Sequence, residues 1–523
     1  MVAGVLSRVA AQRPLKRPRI PWLRAEASIP LLVSVVSATL FVIIEPGVPD
    51  LEAALAHQSA SSHGVGLTYW FQWFGGGSTP GQYSVLTPWL SALLTAPGLG
   101  ALATVVVTPL VDRVLVGTTF RLTGTWLATV TAGLSLWSGR IAFALGLAVA
   151  VVALIGLRER RVVLAVIGVI GSVCASPVAG AFLAMALLAS GVVERKNRRL
   201  ALLLTALCGS ALLAVAWYFG MPGPAIYRPI SAELVAAFSL LMVLARPAPA
   251  VRVVACMTAI ASVVLVLVPN GMGSNLSRMP YICLPVAVVA TAGVRRWIAL
   301  LLVTPALVCC GYFAYHDLRV ASYPAASPSY YDSLARELDR TPQLRNYRLE
   351  VVQSRSFHTA DYALLDHAAL ATGWETQQLQ ALDPILKSRE LNATNYRTWM
   401  GVNAVGYIAF DRRSPDAIDP EYKLVARGLS YLTSVWRDST WTLYRVEDAT
   451  PIVSKPATLL TASQSQLTVR FTCACSVPVR VRWSKFLTVS DDASGLSGVV
   501  TDAGGWSVVT VPQAGIYELE GSL

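Results

Sequence analysis

The stretch Glu45–Leu90 holds Glu45, Asp50, Glu52, His57 and His63 but no Lys or Arg, and it follows the first long apolar run of the chain. Acidic groups just past such a run stand where a lipid headgroup meets water. A carboxylate there can take the proton of an acceptor hydroxyl as a new bond forms, without unusual acidity. Asp50 is the first candidate for that base and Glu52 the second, while His57 could orient the carboxylate or bind a phosphate. A plainer reading stands beside this one. If residues 49–60 are helical, Pro49 suits the first turn, Asp50 and Glu52 complement the positive end of the helix dipole, and His57 is a surface histidine.

The run Tyr69, Trp70, Phe71, Trp73, Phe74, Gly75, Gly76, Gly77 follows. It reads as an aromatic belt at a membrane interface, or as a platform on which a sugar ring stacks, with the glycines allowing close backbone approach. Tyr83 and Ser84 stand where the chain re-enters the membrane. Arg140, Arg228 and Arg278 lie in other loops of the same side. Single arginines there are usually surface anchors, but three on converging loops can also grip the phosphate of a lipid carrier, Arg278 first. In the distal part, Gly373-Trp374-Glu375-Thr376-Gln377 reads as a membrane-facing cap or as an acceptor-binding surface, with Trp374, Glu375 and Gln377 as its contacts. Trp483 and Trp506 fit core packing better than sugar stacking. Asn392-Ala393-Thr394 and Asn275-Leu276-Ser277 match the N-glycosylation triplet. Eight cysteines form no disulfide framework, and Cys473 and Cys475 are too close in sequence for an easy mutual bridge. No metal-ligating set is read from the residues.

Elements long enough to position these groups are mostly membrane spans. Hydrophobic residues make up 54% of the chain and charged ones 14%. The apolar runs between residues 28 and 316 are long enough to cross a hydrocarbon core of about 30 Å. Eleven spans are expected: 28–44, then near 85–111, 120–137, 140–157, 162–175, 177–193, 200–219, 230–246, 253–269, 280–294 and 297–315. The pair 162–175 and 177–193, broken at Ser176-Pro177, is either two crossings or a re-entrant hairpin. The first apolar run reads as a retained span, since no small-residue cleavage site follows it. Basic residues gather in the N-terminal 27 residues (Arg8, Arg13, Lys16, Arg17, Arg19, Arg24) and in alternate turns such as 158–161, 195–199 and 295–296. That asymmetry puts the N-terminus in the cytoplasm and residues 45–84 and the C-terminal part outside. It also accounts for the net charge of +12 without a nucleic-acid partner.

From about Asp317 the composition turns polar. Residues 317–455 mix amphipathic helical stretches with short strand-like runs, an α/β or α+β pattern, and residues 456–523 alternate as a small antiparallel β-sandwich with a turn at Asp502–Gly505. The expected fold is therefore a polytopic α-helical membrane protein with an extracytoplasmic α/β domain followed by a β-sandwich. None of the spans carries the interior Asp, Glu or His of a proton relay, which argues against an ion-coupled carrier.

The layout resembles the GT-C superfamily of multi-spanning glycosyltransferases: a short basic N-terminus, one span, a long outer loop with an early acidic residue, many spans and an outer C-terminal domain. PDLEAALAH, the W-F-G-G-G…P-G-x-Y-S run and GWETQ look like a group of actinobacterial membrane proteins. The resemblance implies a plasma-membrane enzyme that moves a sugar, of the arabinofuranose or mannose class, from a polyprenyl-phosphate donor to a glycan or glycolipid acceptor on the outer face. It puts the carboxylate role of the first loop on Asp50, then Glu52. A divalent cation (Mg or Mn) is the one cofactor it allows, and the lack of two adjacent acidic residues counts against it. Two other classes stay open: a lipid or polysaccharide transporter or flippase, and a non-catalytic assembly protein of the cell envelope.

Overall fold

The computed structural model describes residues 25–221, 223–352, 359–373, 376–413, 419–491 and 495–522. The basic N-terminal residues, His358, Trp374 and Glu375 lie outside the described residues.

Among the described residues, thirteen helices precede the soluble part. They are α1 (Ala25–Ile44), α2 (Pro49–Ser62), α3 (Thr87–Leu94), α4 (Ala96–Val114), α5 (Arg121–Trp137), α6 (Ile141–Glu159), α7 (Val162–Ala175), α8 (Pro177–Val193), α9 (Arg198–Phe219), α10 (Pro229–Val243), α11 (Pro249–Leu267), α12 (Leu284–Ala290) and α13 (Arg296–Ala321). Helices α4, α6, α9, α11 and α13 are long and apolar enough to cross a membrane, and α1 with α2 makes a sixth if that pair, bent by 68°, is one span. Helices α7, α8 and α10 are apolar but shorter. The chain is thus a membrane protein. The expected span at 85–111 is broken into α3 and α4 at Thr95, which has a positive φ of 63°.

The bundle is packed from the inside with small residues. A Cβ on Gly156 would lie 2.5 Å from the backbone N of Ala165, and one on Gly168 2.5 Å from that of Ala153. Close approach of α6 and α7 therefore rests on glycine and alanine, as between membrane helices generally. Large apolar side chains point outward instead, such as Leu32, Ile43, Leu203, Leu213, Leu301 and Val308. In water such a surface would be a liability; against lipid tails it is ordinary.

The soluble part begins with α14 (Asp332–Asp339). A four-stranded sheet has the order β1 (Arg348–Val352), β2 (Val405–Asp411), β4 (Trp441–Val446), β3 (Leu432–Arg437), with β1 parallel to β2 and the other pairs antiparallel. Helices α15 (Ala360–Ala363), α16 (Thr376–Leu382), α17 (Ala393–Val402) and α18 (Pro420–Ala426) accompany it. Asn392 of the glycosylation triplet caps α17 in a reciprocal box with Asn395.

Strands β5 (Thr458–Ala462), β6 (Gln466–Phe471), β7 (Ser476–Arg482), β8 (Leu487–Asp491), β9 (Leu496–Ser497), β10 (Val499–Asp502), β11 (Trp506–Thr510) and β12 (Gly515–Gly521) form two sheets, β10-β11-β7 and β5-β6-β12-β8-β9. Alternate residues face a shared core, among them Val477, Val479 and Val481 from β7 and Leu467, Val469 and Phe471 from β6. Trp506 is partly buried beneath Arg482, whereas Trp483 is 39% exposed and not a core residue. Contrary to expectation, Cys473 and Cys475 form a disulfide.

The aromatic run from Tyr69 to Phe74 is the largest departure from the sequence reading. Tyr69, Trp70, Phe71, Trp73 and Phe74 are all buried, so they form neither an interfacial belt nor a sugar platform. Trp70 forms an isolated β-bridge with Ser78, and the chain between them turns through Phe74, Gly75 and Gly76, each with a positive φ. Tyr69 and Phe71 enter the core of the β-sandwich, while Trp70, Trp73 and Phe74 enter the core of the α/β part. The loop is a shared interior element of the two soluble units.

Candidate active site

A cavity of about 760 Å³ opens where the helical bundle meets the soluble part. Its charged end is built from Asp50, Arg140, Arg278 and Asp317, with Tyr83 and Gln82 beside them. Each reaches the cavity for a local reason.

Asp50 lies in the first turn of α2, directly after Pro49 at the helix start. The bend between α1 and α2 runs through Glu45, which has a φ of 43°, Pro46 and Gly47. It turns the new helix across the end of the bundle, with its first turn over the cavity. Arg140 precedes α6 and follows Gly139, whose φ is +76° and on which a Cβ would lie 2.3 Å from the backbone N of Leu51. Glycine is needed there twice over, for the backbone angle and for the approach. The result sets Arg140 against the start of α2.

Arg278 sits between a 3-10 turn (Gly273–Ser277) and a π-helical turn (Met279–Cys283) that leads into α12. Pro280 and Pro285 remove two backbone donors around that turn. The Arg278 guanidinium lies 5.1 Å from the centre of the Phe143 ring. Burial, and then the neighbouring Arg140, push it down to about 10, opposed by Asp50, Tyr83 and Asp317; it stays cationic at neutral pH.

Arg140 Nε lies 3.4 Å from Asp50 Oδ2, and Arg278 Nη2 lies 3.5 Å from the same oxygen. Two cations thus converge on one carboxylate oxygen. Asp317 comes from α13, which runs on to Ala321, past the expected end of the last apolar run. Sequence reasoning counted it with the soluble part and missed it. A helical phase carried on from Cys310 and Phe313, which line the same cavity, would have found it.

The other expected residues fall differently. Glu52 is on α2 but turned from the cavity and fully buried, accepting a hydrogen bond from Thr359 Oγ1 in the soluble part. His57 is 2% exposed, so it is not a surface histidine; its ring stacks on Tyr83 at 4.8 Å and packs against Trp70 and Trp73. It backs a wall of the cavity without lining it. Arg228 is exposed at the start of α10 and does not line the cavity. Tyr69, Trp70 and Trp73 are core residues, as above. From the distal motif, Gln377 lines the cavity and donates from Nε2 to Gly271 O at 3.3 Å.

The far wall is apolar. Leu212, Val215 and Ala216 of α9, Leu234 of α10 and Met221 and Ile226 between them line it, and Met221 and Ile226 are 61% exposed. Helix α9 packs on α7 and α8, whereas α10 packs on α11 and α13. The cavity therefore passes from a charged end to an apolar side between two helices held by different neighbours. Among the described residues, no group of three or more His, Cys, Asp or Glu is arranged to hold a metal. Asp50 faces two guanidinium groups and Glu52 points elsewhere, so the two first-loop carboxylates do not converge on one point.

Fold and site define a class: a helical membrane protein whose charged cavity lies between an apolar bundle and a polar module. No protein-family model matches the chain, and no curated protein sequence matches it. Among solved structures, two cryo-EM structures of the arabinofuranosyltransferase AftD from mycobacteria, one of them of a mutant, are similar to it. Each aligns at a TM-score of 0.45 and 14% identity over 96% of this chain, covering 60% of the mutant AftD chain and 57% of the other. The chain spans about three fifths of AftD's length.

Proposed function

We propose that this protein is a membrane glycosyltransferase of GT-C type that takes a sugar from a polyprenyl-phosphate donor and passes it to a hydroxyl of a cell-envelope glycan or glycolipid. The observation that carries the reading is Asp50 Oδ2 set between Arg140 and Arg278 in a cavity with an apolar side. A lipid-linked sugar needs all three parts: an apolar entry for its chain, fixed cations for its phosphate, and a base for the acceptor.

In this mechanism the acceptor oxygen attacks the anomeric carbon, Asp50 takes its proton, and the lipid phosphate leaves with the electrons of the broken C–O bond. Arg278 and Arg140 neutralise the leaving phosphate, and their fixed positions supply the electrostatic share of catalysis. Gln377 and Gln82 lie beside them as candidates to orient sugar hydroxyls. Placing both reactants in one cleft contributes through orientation. The sugar is a pentofuranose or a hexose of the mannose class.

The reading includes eleven crossings, counting α5, α7, α8, α10 and α12 although each is short, with the soluble part outside the plasma membrane. The basic turns support that orientation. Ala96 N, at the start of α4, donates to Gln58 Oε1 of α2 at 2.6 Å, so this end of α4 lies by the cavity side. Arg113, at the other end of α4, pairs with Glu159 at the end of α6.

The test uses purified full-length protein with polyprenyl-phosphoryl pentose and hexose donors and a short glycan acceptor. Asp50→Asn is expected to lower transfer by about 10²–10⁴-fold with an unchanged melting temperature. Undiminished transfer by folded Asp50→Asn would sink the assignment.

A further inference from the structure

The ion pairs that brace the bundle are built differently from the one in the cavity. Arg113 grips Glu159 with Nε and Nη2 at 2.8 and 2.9 Å, one oxygen each, and Arg121 holds Asp112 in the same two-pronged way. That fork-to-carboxylate geometry is the strong form. Asp50 instead presents one oxygen to two arginines, at 3.4 and 3.5 Å. Both contacts are longer than the roughly 2.7–2.9 Å of a charge-assisted bond.

The cations are the fixed side of this arrangement. Arg278 is seated over Phe143, and Arg140 is set by the Gly139 turn. Asp50 stands in the first turn of α2 with 26% of its side chain exposed. A phosphate group offers several oxygens and can satisfy both guanidinium forks together, which a single carboxylate oxygen cannot. Asp317 adds a second carboxylate to the lining of the cavity. An incoming phosphate would therefore meet like charge unless Asp50 withdrew.

We propose that Asp50 is the resident anion of a phosphate site: a lipid-borne phosphate enters by displacing its carboxylate from Arg140 and Arg278, and this displacement releases Asp50 to meet the acceptor. Donor then binds before acceptor. The donor-first order rests on the transferase reading; the exchange itself needs only a phosphate. No bond is made or broken in the exchange, since the phosphate takes over two ion pairs and the carboxylate turns to the open cavity.

The experiment measures calorimetric binding of geranyl monophosphate and of inorganic phosphate to purified full-length wild type, Asp50→Asn and Arg278→Gln. Asp50→Asn is expected to bind geranyl phosphate about tenfold more tightly than wild type, and Arg278→Gln about tenfold more weakly. Equal or weaker binding by folded Asp50→Asn overturns the proposal. Should that variant not fold, carbodiimide labelling of wild type decides. Labelling of Asp50, read by mass spectrometry, rises on adding geranyl phosphate if the carboxylate is released; protection or no change overturns the exchange. Inorganic phosphate binding as tightly as geranyl phosphate overturns the lipid source. Tightening in Asp50→Asn together with no transfer by wild type from any polyprenyl-phosphate sugar upholds the exchange and removes the transferase reading; transfer by wild type without tightening in Asp50→Asn does the opposite.

Discussion

Arg140, Arg228 and Arg278 are alike in the sequence, three arginines on loops of one side, and the structure separates them. Arg140 and Arg278 share an oxygen of Asp50, while Arg228 faces outward. Arg278→Gln is expected to reduce kcat/KM for a lipid-linked donor by about 10²–10³-fold. Arg228→Gln is expected to stay within about twofold of wild type. A loss at Arg228 equal to that at Arg278 would contradict the assignment of the phosphate site. The acidic pair Asp50 and Glu52 divides in the same manner. Two residues apart on a helix, they point in directions about 200° apart, so one reaches the cavity and the other Thr359. Sequence spacing alone could have given that division; which of the two faces the cavity needed the position of Arg140.

At the scale of elements, the apolar runs made the helices legible, because long hydrophobic segments leave a backbone few other choices. Broken elements were less so. Thr95 splits an expected span and the π-helical turn before α12 replaces the start of another, both set by neighbours rather than by composition. The approach of α2 to the turn before α6 depends on Gly139. Gly139→Ala would put a Cβ at 2.3 Å from Leu51 N at a φ of +76°. It is expected to cost about 1–3 kcal/mol of stability and to lower transfer further than the melting temperature alone explains, since Arg140 moves with it. A second element-level prediction concerns α18. Its Glu421 is buried, accepts a hydrogen bond from Tyr396 at 2.8 Å, and is pushed up to about 7, chiefly by burial. Between its unfolded value of about 4.5 and about 7, the folded chain keeps a proton that the unfolded chain has lost. Stability from this group is therefore full at low pH and falls as pH rises through that window, by at most about 3 kcal/mol. Glu421→Gln is expected to shrink the difference in melting temperature between pH 5 and pH 8.

The whole molecule is held together by the stretch that the sequence presented as a membrane-surface loop. Its aromatics read as a belt because they follow a span and lie close together. Nothing in the chain near it shows that two sheets distant in sequence will cover it. The soluble units are thus not appendages on a finished bundle. Tyr69 and Phe71 belong to the sandwich core, and Gly521 of β12 approaches Tyr69 so closely that a Cβ would lie 2.7 Å from the Tyr69 Cβ. Residues 80–83 then run from this core straight to the cavity. Gln82 donates to Phe219 O at 2.8 Å at the end of α9, and accepts from Gln378 of α16 at 3.4 Å. Deleting residues 456–523 would uncover Tyr69 and Phe71, each worth about 2–3 kcal/mol of burial, and free the segment that fixes Gln82 and Tyr83. The shortened chain is expected to lose transfer although it keeps every charged residue of the cavity. Phe71→Ala should reproduce part of that loss through a lowered melting temperature. A folded deletion variant with wild-type transfer would mean that the sandwich is an independent appendage and that the cavity is organised by the membrane helices alone.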